Sequence, residues 1–404
     1  MSLLVLKIDQ AISDFFCGIK ENCVVGVAVS GGSDSVALLL ALRKFLPKEN
    51  LKAVTVDHGL RTEAALEAEW VGQLCSTIGV EHNILKAVDL VPGPNLQARA
   101  RDVRYSLLAK WGQSCDILCL GHSQTDVAET FLIRLARGSG VDGLASMAAR
   151  WEQQDLKWGR PFLGLSREEL REYLNSNNQD WCDDPSNVDL KYTRVRIRQS
   201  QKQLEQLGLS TTRLSKTANR MSNVREALTF ALKNIRPQLM ENDFGDILID
   251  HAKLMLLPTE FSERIMAEAL CWVGQQTYRP RNLALRRAIV TKTTFSLHGC
   301  VVIPQHDNFL RVTREYKSVE SEVTNCPGVW DGRYFASNYG KGYKIKSLGK
   351  LGLSFCSDWR RTKRPHAALI VSPSIWQGPK LISAPLANFG EKDDVQVVPT
   401  PWEL

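Results

Sequence analysis

From residue 24 to residue 136 the chain alternates between short apolar, β-branched runs and longer stretches whose apolar positions recur at helical spacing. Strands are predicted over 24–29, 52–57, 81–86 and 116–120, and helices over 35–46, 63–78, 96–112 and 123–136. Strand followed by helix, repeated, is the signature of an open parallel sheet with crossover helices. Ligands of such sheets bind beyond the carboxyl ends of the strands. Further on, Arg160-Pro161 and Asp184-Pro185-Ser186-Asn187 frame a short helical piece around 166–177. Residues 200–235 read as helix, 245–290 as helical again, and 293–313 as a small antiparallel sheet turning near Asp307-Asn308. From about 317 the chain is richer in Gly, Pro and Trp, and its apolar runs, such as Ala368 to Val371, are short. The expected division is therefore an α/β open parallel-sheet domain over 1–205, a helical and mixed α+β domain over 206–316, and a small β-rich domain over 317–404.

The first strand runs directly into Ser30-Gly31-Gly32-Ser33-Asp34-Ser35, and a helix pattern follows at once. Two glycines let the backbone bend sharply and turn several N–H groups toward one point. The serines add hydroxyls, and the new helix presents its positive end. This combination suits a phosphate. It lacks the Gly-Lys-Ser/Thr ending of the common nucleotide P-loop, which argues against a γ-phosphoryl kinase.

Composition bounds the rest. At 404 residues, two or three domains are expected. No apolar run is long enough to span a bilayer and the N-terminus shows no signal-peptide core, so a cytoplasmic protein without a membrane partner is expected. The ten cysteines are scattered without a Cys-x-x-Cys pair, the pattern of reduced, mostly buried thiols rather than of a metal framework. Charge is uneven: residues 190–236 carry eleven Lys or Arg against two Glu, a net of +9 in a chain whose total is +7. A basic stretch of that density is either a solvated helical face or a surface for a polyanion such as nucleic acid.

The Ser30–Ser35 turn resembles the pyrophosphate loop of the PP-loop ATPase superfamily. Further segments, in order, are similar to its tRNA(Ile)-lysidine synthetase branch: Val56-Asp57-His58-Gly59-Leu60-Arg61, Ala100-Arg101-Asp102-Val103-Arg104-Tyr105, and the block from Gly121-His122 through Asp126 and Glu129-Thr130 to Arg134 and Arg137-Gly138-Ser139-Gly140. Arg160-Pro161, Asp184-Pro185-Ser186-Asn187 and Tyr192-x-Arg194-x-Arg196-x-Arg198 complete the series over the first 200 residues, and Arg279-Pro280-Arg281 and Gly299-Cys300 fit more loosely.

The resemblance implies an ATP-dependent ligase that adenylates the C2 oxygen of the wobble cytidine of isoleucine tRNA with a CAU anticodon. Free L-lysine then displaces AMP to give lysidine. It implies that Ser30, Gly31, Gly32, Ser33, Asp34, Ser35, Asp57, His58 and Gly121 hold ATP, and that Asp34 and Asp126 ligate Mg²⁺. Asp34, His122, Asp126 and Arg101 are then the catalytic candidates. Arg194, Arg196 and Arg198 alternate, so in an extended segment they would point one way and meet successive tRNA phosphates. Plain alternatives stand beside these roles: Asp126 as a first-turn helix acid, Glu129 as an arginine's ion-pair partner, His58 as a turn residue, Arg101 and Arg104 as surface arginines. Thr125 stands where the family usually has the first of two aspartates, leaving more of any metal ligation to Asp126. A 2-thiolating PP-loop enzyme and an inactive RNA-binding homologue are the rival readings, and a homodimer is left open.

Overall fold

The computed structural model describes residues 3–20, 22–59, 62–87, 96–183, 191, 193–391 and 394–400. It divides into two compact units, Met1–Glu226 and Ala227–Leu404. Among the described residues no helix is long and apolar enough to cross a membrane. All ten cysteines are free, six of them buried.

The first unit opens with α1 (Leu3–Phe16), whose buried Ile8, Ile12, Phe15 and Phe16 lie on one helical stripe. Then come β1 (Val25–Ala28), α2 (Ser33–Phe45), β2 (Leu51–Asp57), α3 (Thr62–Ile78), β3 (Glu81–Lys86), α4 (Leu96–Gly112), β4 (Ile117–Leu120) and α5 (Gln124–Ala136). These eight elements follow the alternation expected for 24–136. After α6 (Val141–Leu144), the hairpin β5 (Arg150–Gln153) and β6 (Leu156–Gly159) widens the sheet. The unit continues through α7 (Arg167–Ser176), α8 (Thr193–Gln199), α9 (Gln201–Gln206) and the start of α10 (Thr211–Leu239).

The six strands lie in the order β3-β2-β1-β4-β6-β5. All pairings are parallel except β5 with β6. The chain runs from β1 outward to β2 and β3, then returns to the other side of β1 as β4. That reversal makes the gap between β1 and β4 the switch point, where a crevice opens beyond the carboxyl ends. Both central strands are buried along their length, as a doubly covered parallel sheet requires. α2 is apolar on nearly every side because it packs on the sheet and on α1 and α7. Its Leu38, Leu39 and Leu42 are fully buried, each stabilising by about 1.5–3 kcal/mol. Leu214 and Ala218 of α10 pack against Val127, Ala128 and Phe131 of α5, which carries the first unit past residue 205.

Four readings of the sequence are corrected here. Residues 193–199 are helical, not extended: Val195 is buried, and one apolar anchor among arginines is compatible with either period. The helix expected over 200–235 is broken at Gly208, which turns the chain at φ +80° between α9 and α10. The helical stretch expected from 245 begins with a strand, and the short apolar run from Ala368, in the tail read as β-rich, lies in a helix, His366–Ile370.

In the second unit, β7 (Met240–Asp243), β8 (Asp246–Asp250), β9 (Phe295–Leu297), β10 (Cys300–Pro304) and β11 (Phe309–Arg314) form an antiparallel sheet in the order β7-β8-β11-β10-β9. The turn at Asp307-Asn308 falls where the sequence places it, with Asn308 at φ +62°. Helices Thr259–Gly274 and Asn282–Ile289 cover this sheet. Beyond residue 316 a four-stranded and a three-stranded antiparallel sheet share a separate core around Trp330, Tyr334, Ile345 and Ile375.

Arginines tie the two cores of this unit together. Arg311 donates to Asp246 (2.8 Å) and Asp243 (2.6 Å), and Arg364 also pairs with Asp243. Arg333 donates to Asp331 (3.0 Å) and to the Gly245 carbonyl (2.6 Å), and Arg314 lies 3.1 Å from Asp331.

Candidate active site

The turn after β1 closes on itself. Ser35 Oγ donates to the Gly32 carbonyl (2.9 Å) and accepts from the Ser30 N–H (3.1 Å). Gly31 sits at φ +85°, the left-handed region that favours glycine. No side chain caps α2, whose first residues are Ser33, Asp34 and Ser35. An uncapped helix N-terminus beside a glycine turn is an anion site built from backbone N–H groups. Gly121, at the end of β4, lets the two loops meet: a Cβ there would stand 2.7 Å from Ser35 Cα and 2.8 Å from its nitrogen.

Asp34 and Asp126 occupy the first turns of α2 and α5, both buried. Ser123 links them. Its Oγ is 3.0 Å from Asp34 Oδ2 and 3.1 Å from Asp126 Oδ2, and its N–H donates to Asp126 Oδ2 (3.0 Å). Arg167, at the start of α7, reaches the same place. Its Nε donates to Asp34 Oδ2 (3.2 Å) and Nη2 to Asp126 Oδ1 (3.4 Å), while Nη1 lies 3.5 Å from Glu129. Glu129 also accepts from Arg198 Nε (2.5 Å). Burial alone would raise the Asp126 carboxyl; Arg167, the Ser123 N–H and Arg194 hold it below its ordinary value.

His122 follows β4 directly. Arg160 Nε donates to its Nδ1 (3.2 Å), so Nδ1 carries a lone pair and the ring N–H sits on Nε2. Burial, reinforced by Arg160, Arg104 and Arg194, outweighs Asp126 and pushes this imidazole down to about 3. At neutral pH His122 is therefore a neutral Nε2–H donor, a role suited to an anion rather than to proton shuttling.

The other expected residues fall into three groups. Asp57 ends β2 and His58 follows it: Asp57 Oδ1 accepts from the Gly59 N–H (2.9 Å), and His58 Nδ1 is buried without a partner among the described residues. Burial and Arg104 depress His58 as well. Arg101 lies exposed on α4, its guanidinium over Tyr105, and it is not brought to the carboxylates. In α8 the i, i+4 spacing turns Arg194 and Arg198 toward α5, where Arg194 donates to Thr130 (3.3 Å). Arg196 faces away and donates to Thr193 (3.1 Å). Leu60-Arg61, Asp184 to Asn187 and Tyr192 lie outside the described residues.

Reading the sequence alone misses Arg167 and Ser123. The Ser166-x-x-Glu169 capping box marks where α7 begins, with Ser166 accepting from the Glu169 N–H (3.2 Å), but nothing local says what the next side chain meets. Thr125 also finds its place: its Oγ1 accepts from the Arg167 backbone N–H (3.1 Å).

The donor set fits the groups expected of it. An uncapped helix start, a close approach that only glycine permits and an orphaned His58 nitrogen suit a polyphosphate. Two adjacent hard-oxygen carboxylates suit a Mg²⁺ that takes its remaining ligands from phosphate and water.

A glycine–serine turn at the switch point of a parallel sheet, with acids at the starts of two helices, is the arrangement of a PP-loop domain, and residues 4–204 match that family. The chain is 38% identical over 373 residues to a tRNA(Ile)-lysidine synthase from Ruegeria pomeroyi, covering 90% of this chain and 89% of that protein. A tRNA(Ile)-lysidine synthase from Wolbachia pipientis wMel is 31% identical over 395 residues, 92% of this chain and 90% of that one. The chain belongs to the tRNA(Ile)-lysidine synthase family. Among solved structures it is similar to the U34-tRNA thiolase NcsA from Methanococcus maripaludis, at 18% identity and a TM-score of 0.46 over 55% of this chain and 80% of that chain.

Proposed function

We infer that this protein ligates lysine to C2 of the wobble cytidine of an isoleucine tRNA with a CAU anticodon, converting ATP to AMP and pyrophosphate in the cytoplasm. The observation that carries the reading is the open N-terminus of α2 behind the Ser30–Ser35 turn, beside Asp34 and Asp126. N–H groups of the turn bind the pyrophosphate portion of ATP and stabilise the charge that develops there as the α–β bond breaks. The C2 oxygen of cytidine attacks the α-phosphorus, pyrophosphate leaves, and the adenylated base is activated. An amine of lysine then adds to C2, loses a proton and expels AMP.

The chain's own groups divide this work. Asp34 and Asp126 hold the Mg²⁺, which supplies charge neutralisation on the phosphates when bound. His122 Nε2–H and Arg104, which pairs with no acid among the described residues, serve as donors to the phosphates. Asp57 and His58 form the pocket wall, and Arg101, exposed on α4, is left to meet the incoming substrate. Outward-facing Arg196 and the basic surface of 190–236 bind tRNA phosphates, which positions the substrate without reading its sequence. The second unit grips the tRNA body. The reacting cytidine must leave its stack to enter the pocket.

Mass spectrometry of isoleucine tRNA incubated with the full chain, ATP and isotope-labelled lysine tests this. The expected result is one labelled lysine on the wobble cytidine, with AMP and pyrophosphate released in equal amount. Release of ADP, or tRNA of unchanged mass, contradicts it.

A further inference from the structure

Three carboxylates, Asp34, Asp126 and Glu129, converge in the crevice, each at most 9% exposed. Ser123 faces two of them with one hydroxyl proton and one N–H, which satisfy one oxygen each but neutralise no charge. Such a cluster needs a cation. Arg198 serves Glu129 with two N–H groups, at 2.5 and 3.3 Å. Arg167 serves all three acids at once, at 3.2, 3.4 and 3.5 Å, with no bidentate fork on any of them. Charge-assisted bonds of full strength run about 2.7–2.9 Å. The guanidinium is thus held by the summed field of the cluster rather than by matched bonds.

Its arm is placed for exchange. The Arg167 N–H is tied to Thr125 Oγ1, which fixes the base of the side chain at the start of α7. The side chain keeps 18% of its surface exposed, so it is not sealed within the cluster. Among the described residues no group of three metal-ligating side chains stands ready for an ion. A hard divalent cation would want the carboxylate oxygens that Arg167 now covers. Neither the carboxylates nor the guanidinium can be left buried and unpaired without large cost.

We propose that Arg167 is the resident counter-ion of the cluster: it closes the carboxylates to free divalent cations and yields them only when a polyphosphate offers its guanidinium another anion. This rests on the ATP-dependent reading above, and it makes metal entry conditional on nucleotide. Thr125 is a positioning residue for Arg167, a use for the hydroxyl at the point where the family's usual aspartate is missing.

Mn²⁺ titration of the full chain, followed by electron paramagnetic resonance, tests the proposal without turnover. Wild type alone is expected to bind Mn²⁺ at least about tenfold more weakly than wild type with α,β-methylene-ATP, and than Arg167→Ala without nucleotide. Asp34→Asn added to Arg167→Ala removes the gain, and Arg167→Lys behaves as wild type. Equal Mn²⁺ affinity of wild type with and without the analogue overturns the proposal. So does a folded Arg167→Ala that binds no tighter than wild type, or a gain that survives Asp34→Asn. If Arg167→Ala does not fold, the wild-type comparison and Arg167→Gln decide. Failure to form lysidine leaves these titrations intact, so the two readings fail separately.

Discussion

Each unit of the molecule buries a cluster of opposite charges, and the two are built differently. In the second unit Arg311, Arg333 and Arg364 hold Asp243, Asp246 and Asp331 at close range, and Arg333 also bonds the Gly245 carbonyl at 2.6 Å. Those bonds fasten the turn between β7 and β8 to the chain beyond residue 316. In the first unit Arg167 is spread over three acids at 3.2–3.5 Å, beside an uncapped helix and beyond the carboxyl ends of β1 and β4. Buried charge alone therefore does not mark a functional site. A cation loosely shared among acids, at the place where the sheet opens, distinguishes the cluster proposed to react from the other one.

Exchanging one charged residue in each cluster breaks the comparison most sharply. Asp34→Asn is expected to lower lysidine formation by about a thousandfold, the scale of losing one preorganised electrostatic group, while stability changes little. Arg333→Ala should do the reverse. It leaves buried Asp331 with Arg314 as its remaining cation and the Gly245 carbonyl without its donor, and costs about 3 kcal/mol in denaturant unfolding, with ATP affinity within about twofold of wild type. If Arg333→Ala left stability unchanged, or Asp34→Asn left turnover intact, the distinction between the clusters would be lost.

Gly121→Ala is the next largest. A methyl 2.7 Å from Ser35 Cα forces apart the two loops that form the crevice, so a loss of about 1–3 kcal/mol and weaker ATP binding by calorimetry are expected together. The two faces of α8 give a smaller contrast. Arg196→Ala should raise the KM for tRNA several-fold and reduce the salt slope of binding by about one, leaving the KM for ATP alone. Arg198→Ala, which strips Glu129 of its closest partner, should act on turnover instead. Equal effects of the two substitutions would remove the distinction between outward and inward arginines.

The smallest effect concerns His122. Its folded pKa is depressed, so the folded state binds no proton while the unfolded imidazole titrates near 6.5. Its contribution to stability is present above that value and declines as pH falls below it, toward about 3. Nitrogen chemical shifts should show a neutral ring with the proton on Nε2 from pH 5 to 8; a protonated ring at pH 6 would contradict the Arg160 contact.

The parallel sheet was legible because its central strands are apolar on both faces and its turns carry glycine. The β5–β6 hairpin was not. Arg150, Glu152 and Gln153 are exposed on an edge strand, so no apolar alternation announces it, and its turn uses Gln154 and Asp155 at φ +55° instead of glycine. Alternating arginines at 194, 196 and 198 invited a strand, but charged positions do not set a period; buried Val195 fits a helix equally well. The glycine–serine turn and the acids after β1 and β4 could be named from local pattern. Arg167 could not, because its meeting with Asp34 spans 133 residues and depends on how α2, α5 and α7 converge.

The most direct measurement of the central claim is a crystal structure of the full chain with α,β-methylene-ATP and Mg²⁺. The account predicts the β- and γ-phosphates against the N–H groups of Gly31 to Ser35, with the α-phosphate turned toward His122 and the cation between Asp34 and Asp126. A triphosphate bound elsewhere, with that turn still empty, would contradict it.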